Sequence, residues 1–357
     1  MISKHGNYSI YFYCLEFGEE SELLSVTKDW AFGFEEIGFE VVVIASHTRI
    51  GSNPSSIRVI ELGGGTFWFR ARALIRLFRV LIEILQKRKA CSVFYHMNHK
   101  ALALQGWALK AFRVHQTLWY SHAKHDKWLY AANNFADLIM TTNREAYPLV
   151  HSSIIPVGQA VNHQRFKRVE KSIKEINSVI EIVSVGRVSR AKALENIFYE
   201  LTPVAKKRKI VLHFYGPILD RKYADELEML ARESNIELEF RETVKYQELP
   251  AILQRYNLYF TGTEKAIDKA AVEAAMSGLI ILSNNMNLLR ILGLSSFYEL
   301  ADGQHFAIEN QLNSLLEVDR ETLNTLSRAL SDTAVSRFSI SNSINEYLQI
   351  TKLKMCE

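Results

Sequence analysis

Short runs of β-branched and aromatic residues alternate with helix-patterned segments along most of this chain, and the alternation starts over once. YSIYFYC (8–14), VVVIAS (41–46), IRVIEL (57–62), SVFYH (92–96), TLWYS (117–121) and DLIMTT (137–142) read as strands, and 21–37, 67–88, 100–113 and 127–136 as helices. Such an order builds parallel sheets covered by helices. Beyond a charged, strand-poor stretch, 163–177, the pattern resumes with VIEIVSVG (179–186), IVLHFYG (210–216), IELEF (236–240), LYFTG (258–262) and LIILS (279–283). At 357 residues the chain is too long for one ordinary core, which agrees with two domains. The expected fold class is α/β, with a Rossmann-like N-terminal domain over 1–165 and a second Rossmann-like domain over 175–337. They are expected to face each other across a cleft at the carboxyl ends of the strands, where ligands bind in such folds. A last helical segment, 338–357, is expected to pack back towards the N-terminal domain.

Composition narrows the function classes. Three widely spaced cysteines, Cys14, Cys91 and Cys356, offer neither a disulfide framework nor a zinc knuckle and suit a reducing compartment. The opening MISKHGNYSIYFYCLEFGEE lacks the apolar core and cleavage site of a signal peptide, and no run of about 18 apolar residues occurs. A cytoplasmic protein is the resulting expectation.

The net charge of +4 is unevenly placed: residues 1–165 carry +5 and the remainder −1. Within 66–125 stand eleven basic side chains and one acidic one, Glu83. GTFWFRARALIRLFRVLIEILQKRK (65–89) sets Arg72, Arg76, Arg79 and Lys87 along one helical face and Leu74, Phe78, Leu81 and Leu85 along the other. The apolar face is expected to pack on the N-terminal sheet. The basic face suits an anionic membrane surface, which attracts each nearby cation by about 1 kcal/mol. Nucleic acid is not an expected partner, because no recognised binding motif accompanies the stripe and the rest of the chain is slightly acidic.

Two strand ends in the second half carry polar residues suited to chemistry. In SVGRVSRAKALENI (184–197) a strand ends at Gly186, Arg187 follows, and Lys192 stands at the mouth of a helix. Backbone N–H groups, the helix dipole and two cations at one point would clamp a phosphate or diphosphate; otherwise both are solvated loop charges. In TGTEKAIDKAAVEAAMSG (261–278) a helix begins close to Asp268, which can cap it. Lys269 and Glu273, at i and i+4, could form a helix-surface pair of about 0.2–0.5 kcal/mol. Yet Ala270, Ala271, Ala274 and Ala275 suit a buried, closely approached helix. A carboxylate inside such a helix needs a hydrogen-bonding partner, and a ligand hydroxyl would serve.

EAAMSGLIILSNN, from Glu273, resembles the "E-A-M-A-x-G-x-P-V" segment of family-4 glycosyltransferases, retaining enzymes of the GT-B fold that use nucleotide-sugar donors. GRVSRAK (186–192) is similar to that family's "G-R-L-S-x-x-K", and IPVGQAVNHQRFK (155–167) to its interdomain "I-P-N-G-V-D-x-x-x-F". ETVKYQELPAILQRYNLYFTGT (242–263) is similar to "G-x-V-x-x-x-E-L-x-x-x-Y-x-x-A-D-L-x-x-x-P-S". In the first half, VFYHMN (93–98) and LWYSHAKHD (118–126) resemble the "H-M-N-P" and "L-W-Y-x-H" of one branch.

The resemblance implies that Glu273 accepts hydrogen bonds from the donor ribose and that Arg187 and Lys192 neutralise its diphosphate. No metal is then needed and no cofactor is expected beyond the nucleotide-sugar. It implies further donor contacts from Gly186, Gly158, Gln159, Val244, Glu264, Lys265, Asp268 and Lys269. His122 matches the histidine near the transferred sugar. His96, Asn98 and His125 are candidates for acceptor or sugar contacts, His96 and Asn98 as residues ending a strand that faces the cleft. The family's first glutamate, eight positions before the second, is replaced: Lys265 stands there, with Glu264 one residue out of register. The identity of the sugar is expected to differ at that point. The implied activity is sugar transfer to a glycan or lipid-linked glycan in cell-surface polysaccharide synthesis, at the inner face of the cell membrane. The alternative is a catalytically silent relative that binds nucleotide or glycan as a partner protein.

Overall fold

A computed structural model describes residues 8–18, 25–49, 57–63, 67–122, 124–169, 179–264, 266–298 and 307–351. The chain divides into two compact units, Met1–Ala160 with Ile340–Glu357, and Val161–Ser339. The division thus falls at 160/161 and 339/340, where the sequence suggested a linker over 163–177; residues 170–177 of that stretch lie outside the described residues.

The first unit runs β1 (Ser9–Gly18), α1 (Ser25–Glu36), β2 (Glu40–Arg49), β3 (Arg58–Glu61), α2 (Phe67–Gln86), β4 (Cys91–His96), α3 (His99–Ala111), β5 (His115–Trp119), α4 (Lys127–Phe135), β6 (Leu138–Thr141) and β7 (Ile154–Pro156). Its sheet has the order β3-β2-β1-β4-β5-β6-β7, and the strand pairs are parallel. Period-2 alternation divides β1 between two cores. Ile10, Phe12 and Cys14 join Trp30 and Phe34 of α1 on one face, while Tyr11 and Tyr13 join Val80 and Ile84 of α2, Leu102 of α3 and Leu129 of α4 on the other. Because both faces are covered, the strand reads as an uninterrupted apolar run. The three-residue β7 was not anticipated; IIP is too short to show a period.

The second unit runs β8 (Val179–Val185), a 3-10 turn (Arg190–Lys192), α5 (Asn196–Ala205), β9 (Lys209–Tyr215), α6 (Arg221–Ser234), β10 (Glu237–Arg241), α7 (Leu249–Leu253), β11 (Leu258–Thr261), α8 (Lys269–Met276), β12 (Ile280–Ser283), α9 (Met286–Ile291), α10 (Leu294–Phe297), α11 (Ile308–Glu317) and α12 (Arg320–Phe338). Its parallel sheet has the order β10-β9-β8-β11-β12. Crossing from β8 to both β9 and β11 makes β8 the switch point of the sheet, the place where α/β folds put their ligands.

The final helix, α13 (Ile340–Thr351), belongs to the first unit. Ile340, Ile344, Tyr347 and Leu348 complete the core beneath β1 and β4. Tyr347 stands edge-on to Phe34 and Phe94 and its hydroxyl meets Ser92 Oγ at 3.0 Å. Gly33 of α1 allows the approach, since a Cβ there would lie 2.5 Å from Ile344 Cδ1.

Helix α2 departs from expectation. Val80 and Ile84 are buried, with Leu77, Leu81 and Leu85 partly so. Leu74 and Phe78, assigned to the packed face, are exposed, as are Ile75 and Ile82. The helix is apolar over a wider arc than the sheet can cover. Lys87, grouped with the free cations, is bound to Glu40 at 2.7 Å, and Arg76 donates to the Glu61 carbonyl.

Candidate active site

In the second unit, the loops after β8, β9 and β11 are drawn together by glycines. Gly186 and Gly216 have φ of +136° and +144°, a region that favours glycine. A Cβ on Gly216 would lie 2.1 Å from the Gly186 carbonyl oxygen, and one on Gly262 equally close to that of Ala193. Backbone therefore lies against backbone where side chains would otherwise separate the loops. The chain after Gly186 does not enter a helix at Lys192, as the sequence suggested. Arg190–Lys192 form a 3-10 turn, Ala193 takes a left-handed φ of 44°, and α5 begins only at Asn196. The turn brings Lys192 back over Gly186, its Nζ 3.4 Å from where a Cβ would stand.

Lys192 Nζ meets Asp268 Oδ1 at 2.7 Å. Asp268 also accepts from Thr261 Oγ1 at 3.0 Å and caps α8 through the Ala270 N–H. Gly186, Arg187 and Lys192 line a small recess with Ser184, Leu194 and Phe214. Arg187 is exposed and has no hydrogen bond or ion pair among the described residues. Its near neighbour Arg190 is bound by both Glu226 oxygens, at 2.6 and 2.7 Å, and lies over the Tyr223 ring.

Helix α8 is buried along most of its length, and Glu273 is 2% exposed. The Lys269–Glu273 pair forms at 3.0 Å with the carboxylate buried, rather than on an open helix surface. Tyr246 OH donates to the same oxygen, Oε1, at 2.7 Å. The chain itself thus supplies the partner that burial demands, while no described residue bonds to Oε2. Lys269 and Arg165 also lie over the Tyr246 ring, 4.3 and 4.7 Å from its centre. The far end of α8 is held by α12, where Ser331 Oγ and Ser327 Oγ donate to the carbonyls of Met276 and Gly278.

The second unit therefore gathers Gly186, Arg187, Lys192, Asp268, Lys269 and Glu273. Val244 is half-buried two residues before Tyr246, Glu264 is exposed, and Lys265 lies outside the described residues. Tyr246 and Thr261 were not singled out in the sequence; no periodicity marks a tyrosine that reaches a carboxylate from a loop.

The remaining candidates stand in the first unit. Gly158, with φ of +73°, and Gln159 form a turn after β7. His122 is exposed beyond β5, its Nδ1 accepting from the Lys124 N–H at 2.9 Å. The proton of the neutral ring then sits on Nε2. His125 is exposed against the Tyr130 ring. His96 and Asn98 stand at the end of β4 as expected, and both are buried. His96 is 2% exposed, stacked on Trp119 with ring centres 4.6 Å apart. Asn98 is also buried; it caps α3 and donates to the Cys14 carbonyl at 3.3 Å. An unanticipated pair, His99 and Asp126 at 3.2 Å, stands nearby in sequence. The Leu129 N–H, capped by Asp126 at the start of α4, holds that carboxyl below the usual range. Among the described residues no group of His, Cys, Asp and Glu is arranged to hold a metal ion.

The architecture is the GT-B glycosyltransferase fold. A glycosyltransferase from Rickettsia africae superposes with a TM-score of 0.69 at 12% identity, over 97% of this chain and 98% of that one. HepE of Anabaena, in complex with UDP, does so with 0.67 at 12% identity, over 97% and 100%. The lipopolysaccharide outer core galactosyltransferase WaaB does so with 0.61 at 14% identity, over 96% and 99%. The sequence matches no protein-family model and no curated protein.

Proposed function

We propose that this protein is a retaining, family-4-like glycosyltransferase that moves a sugar from a nucleotide donor to a glycan or lipid-linked glycan in cell-surface polysaccharide synthesis. The observation that carries this reading is the joining of Arg187, Lys192, Asp268 and buried Glu273 around the switch-point strand. HepE has been solved with UDP and with UDP-glucose, and WaaB is a galactosyltransferase of lipopolysaccharide; both support a nucleotide-sugar donor on this fold.

In this reading the donor diphosphate lies against the Gly186 loop. Arg187 and Lys192 meet the charge that grows on the departing oxygen as the bond to the sugar breaks, work that needs no metal ion. Glu273 accepts from the ribose hydroxyls, through Oε2 or by displacing Tyr246 from Oε1. His122 is the first candidate to contact the transferred sugar and His125 the second. Gly158, Gln159 and Val244 are further donor contacts, and Glu264, Lys265 and Asp268 set which sugar is accepted. A lipid-borne acceptor would place the reaction at the inner face of the membrane. A silent nucleotide- or glycan-binding partner protein is the second reading, favoured by the two contacts the chain itself makes to Glu273 Oε1.

Incubation with UDP-, GDP- and ADP-sugars, measuring nucleoside diphosphate released with and without glycan acceptors, separates the two. Wild type is expected to release it and Glu273→Ala to do so about 100-fold more slowly, within the range for removing one site group. Equal release by both proteins, or none by wild type, would exclude transfer.

A further inference from the structure

Two adjacent helices of the first unit expose apolar side chains that sugar transfer leaves unused. On α2, beside the buried stripe of Val80 and Ile84, lie Leu74, Ile75, Phe78 and Ile82, which are 65, 55, 62 and 40% exposed. At 3.6 residues per turn these four share one arc, and Arg72 and Arg79 form its outer border. Tyr11 and Tyr13, two apart on β1, bond Glu83 of α2 and Gln105 of α3, so the two helices lie over one strand. From α3, Leu104 and Trp107 are exposed as well. Large apolar side chains exposed together along one helix face mark an interaction site.

Charge identifies the partner. Arg72 and Arg79 have no hydrogen bond or ion pair among the described residues. Lys100 of α3 is exposed, and α3 contains no acidic residue. The one carboxylate of α2, Glu83, is taken up by Arg58 and Tyr11. Among the described residues of α2 and α3, the exposed charges without an ion pair beside the arc are thus cations. Two copies meeting through this face would bring like charges together, whereas a bilayer with anionic lipid offers phosphates to the rim and an apolar interior to the arc.

We propose that the outer face of α2, with Leu104 and Trp107 of α3, docks on an anionic lipid bilayer. Leu74, Ile75, Phe78 and Ile82 enter the boundary between headgroups and acyl chains, and Arg72 and Arg79 lie among the lipid phosphates. This differs from the basic-face contact read in the sequence, because apolar insertion withstands salt and purely ionic attachment does not. It does not rest on the transfer reading, since binding is measured without donor or turnover.

The test is co-sedimentation with vesicles of phosphatidylcholine alone and with phosphatidylglycerol added, at low and high salt. Wild type is expected to partition onto the anionic vesicles and to be released only in part by salt. Leu74→Ser/Phe78→Ser/Ile82→Ser should lower partition at least about tenfold, and Arg72→Gln/Arg79→Gln about as much. These side chains are exposed, so thermal midpoints should stay at the wild-type value. Wild-type protein left in the supernatant, equal partition of the triple variant, or full release by salt would overturn the proposal. A dimer dissolved by the triple variant, without vesicle binding, would also overturn it and assign the face to a second copy.

Discussion

Lys192 and Asp268 meet at 2.7 Å across 76 positions of sequence, and the same carboxylate caps α8 and accepts from Thr261. One side chain thereby ties the loop after β8, the end of β11 and the start of a buried helix. Asp268→Ala should cost about 2–4 kcal/mol in urea unfolding, from a lost cap and a lost, mostly buried ion pair. Asp268→Asn keeps an oxygen for the cap and should cost about half as much. Equal costs would mean that the cap contributes nothing and the ion pair carries the whole loss.

Arg187 and Arg190 are three residues apart and differ in what they touch. Arg190 is bound to Glu226, whereas Arg187 has no ion pair among the described residues. Arg187→Ala should weaken nucleoside diphosphate binding about tenfold or more by calorimetry, and Arg190→Ala by less than about twofold. The reverse order would move the diphosphate away from the Gly186 loop.

Tyr246→Phe removes the hydroxyl that occupies Glu273 Oε1. The variant should lose about 1.5–3 kcal/mol of stability without ligand, as expected for a hydrogen bond to a charged group. It should also bind nucleoside diphosphate more tightly, since a ribose hydroxyl no longer competes with the tyrosine. Weaker binding would show that Tyr246 is itself a ligand contact.

Tyr347→Ala should destabilise the first unit by about 3–5 kcal/mol in urea unfolding, the range for deleting a large aromatic from a core. The ring is fully buried against Phe34 and Phe94. A loss below about 1 kcal/mol would mean that α13 is not part of that core.

What the sequence revealed and what it hid have physical causes. Central strands such as β1 and β4 are legible because burial on both faces leaves nearly continuous apolar runs. The α8 helix is legible too, since Asp268 caps it and alanines let β-strands and α12 approach. Lys192 is misread because a left-handed Ala193 ends the 3-10 turn before α5, and no glycine announces that conformation. His96 and Asn98 end a strand as anticipated, but whether a strand end opens to solvent depends on Trp119 and Cys14, remote in sequence. The exposed arc of α2 is hidden for a similar reason: hydrophobicity shows which residues avoid water, not how much sheet is there to cover them.

The most direct test of the central claim is thermal unfolding of wild type and Glu273→Ala with UDP, GDP and ADP. A nucleoside diphosphate at a hundred times its dissociation constant should stabilise wild type by about 2.7 kcal/mol, and Glu273→Ala should lose most of that gain at the same concentration. No stabilisation of wild type by any of the three, or the same gain in both proteins, would contradict a nucleotide site built on Glu273.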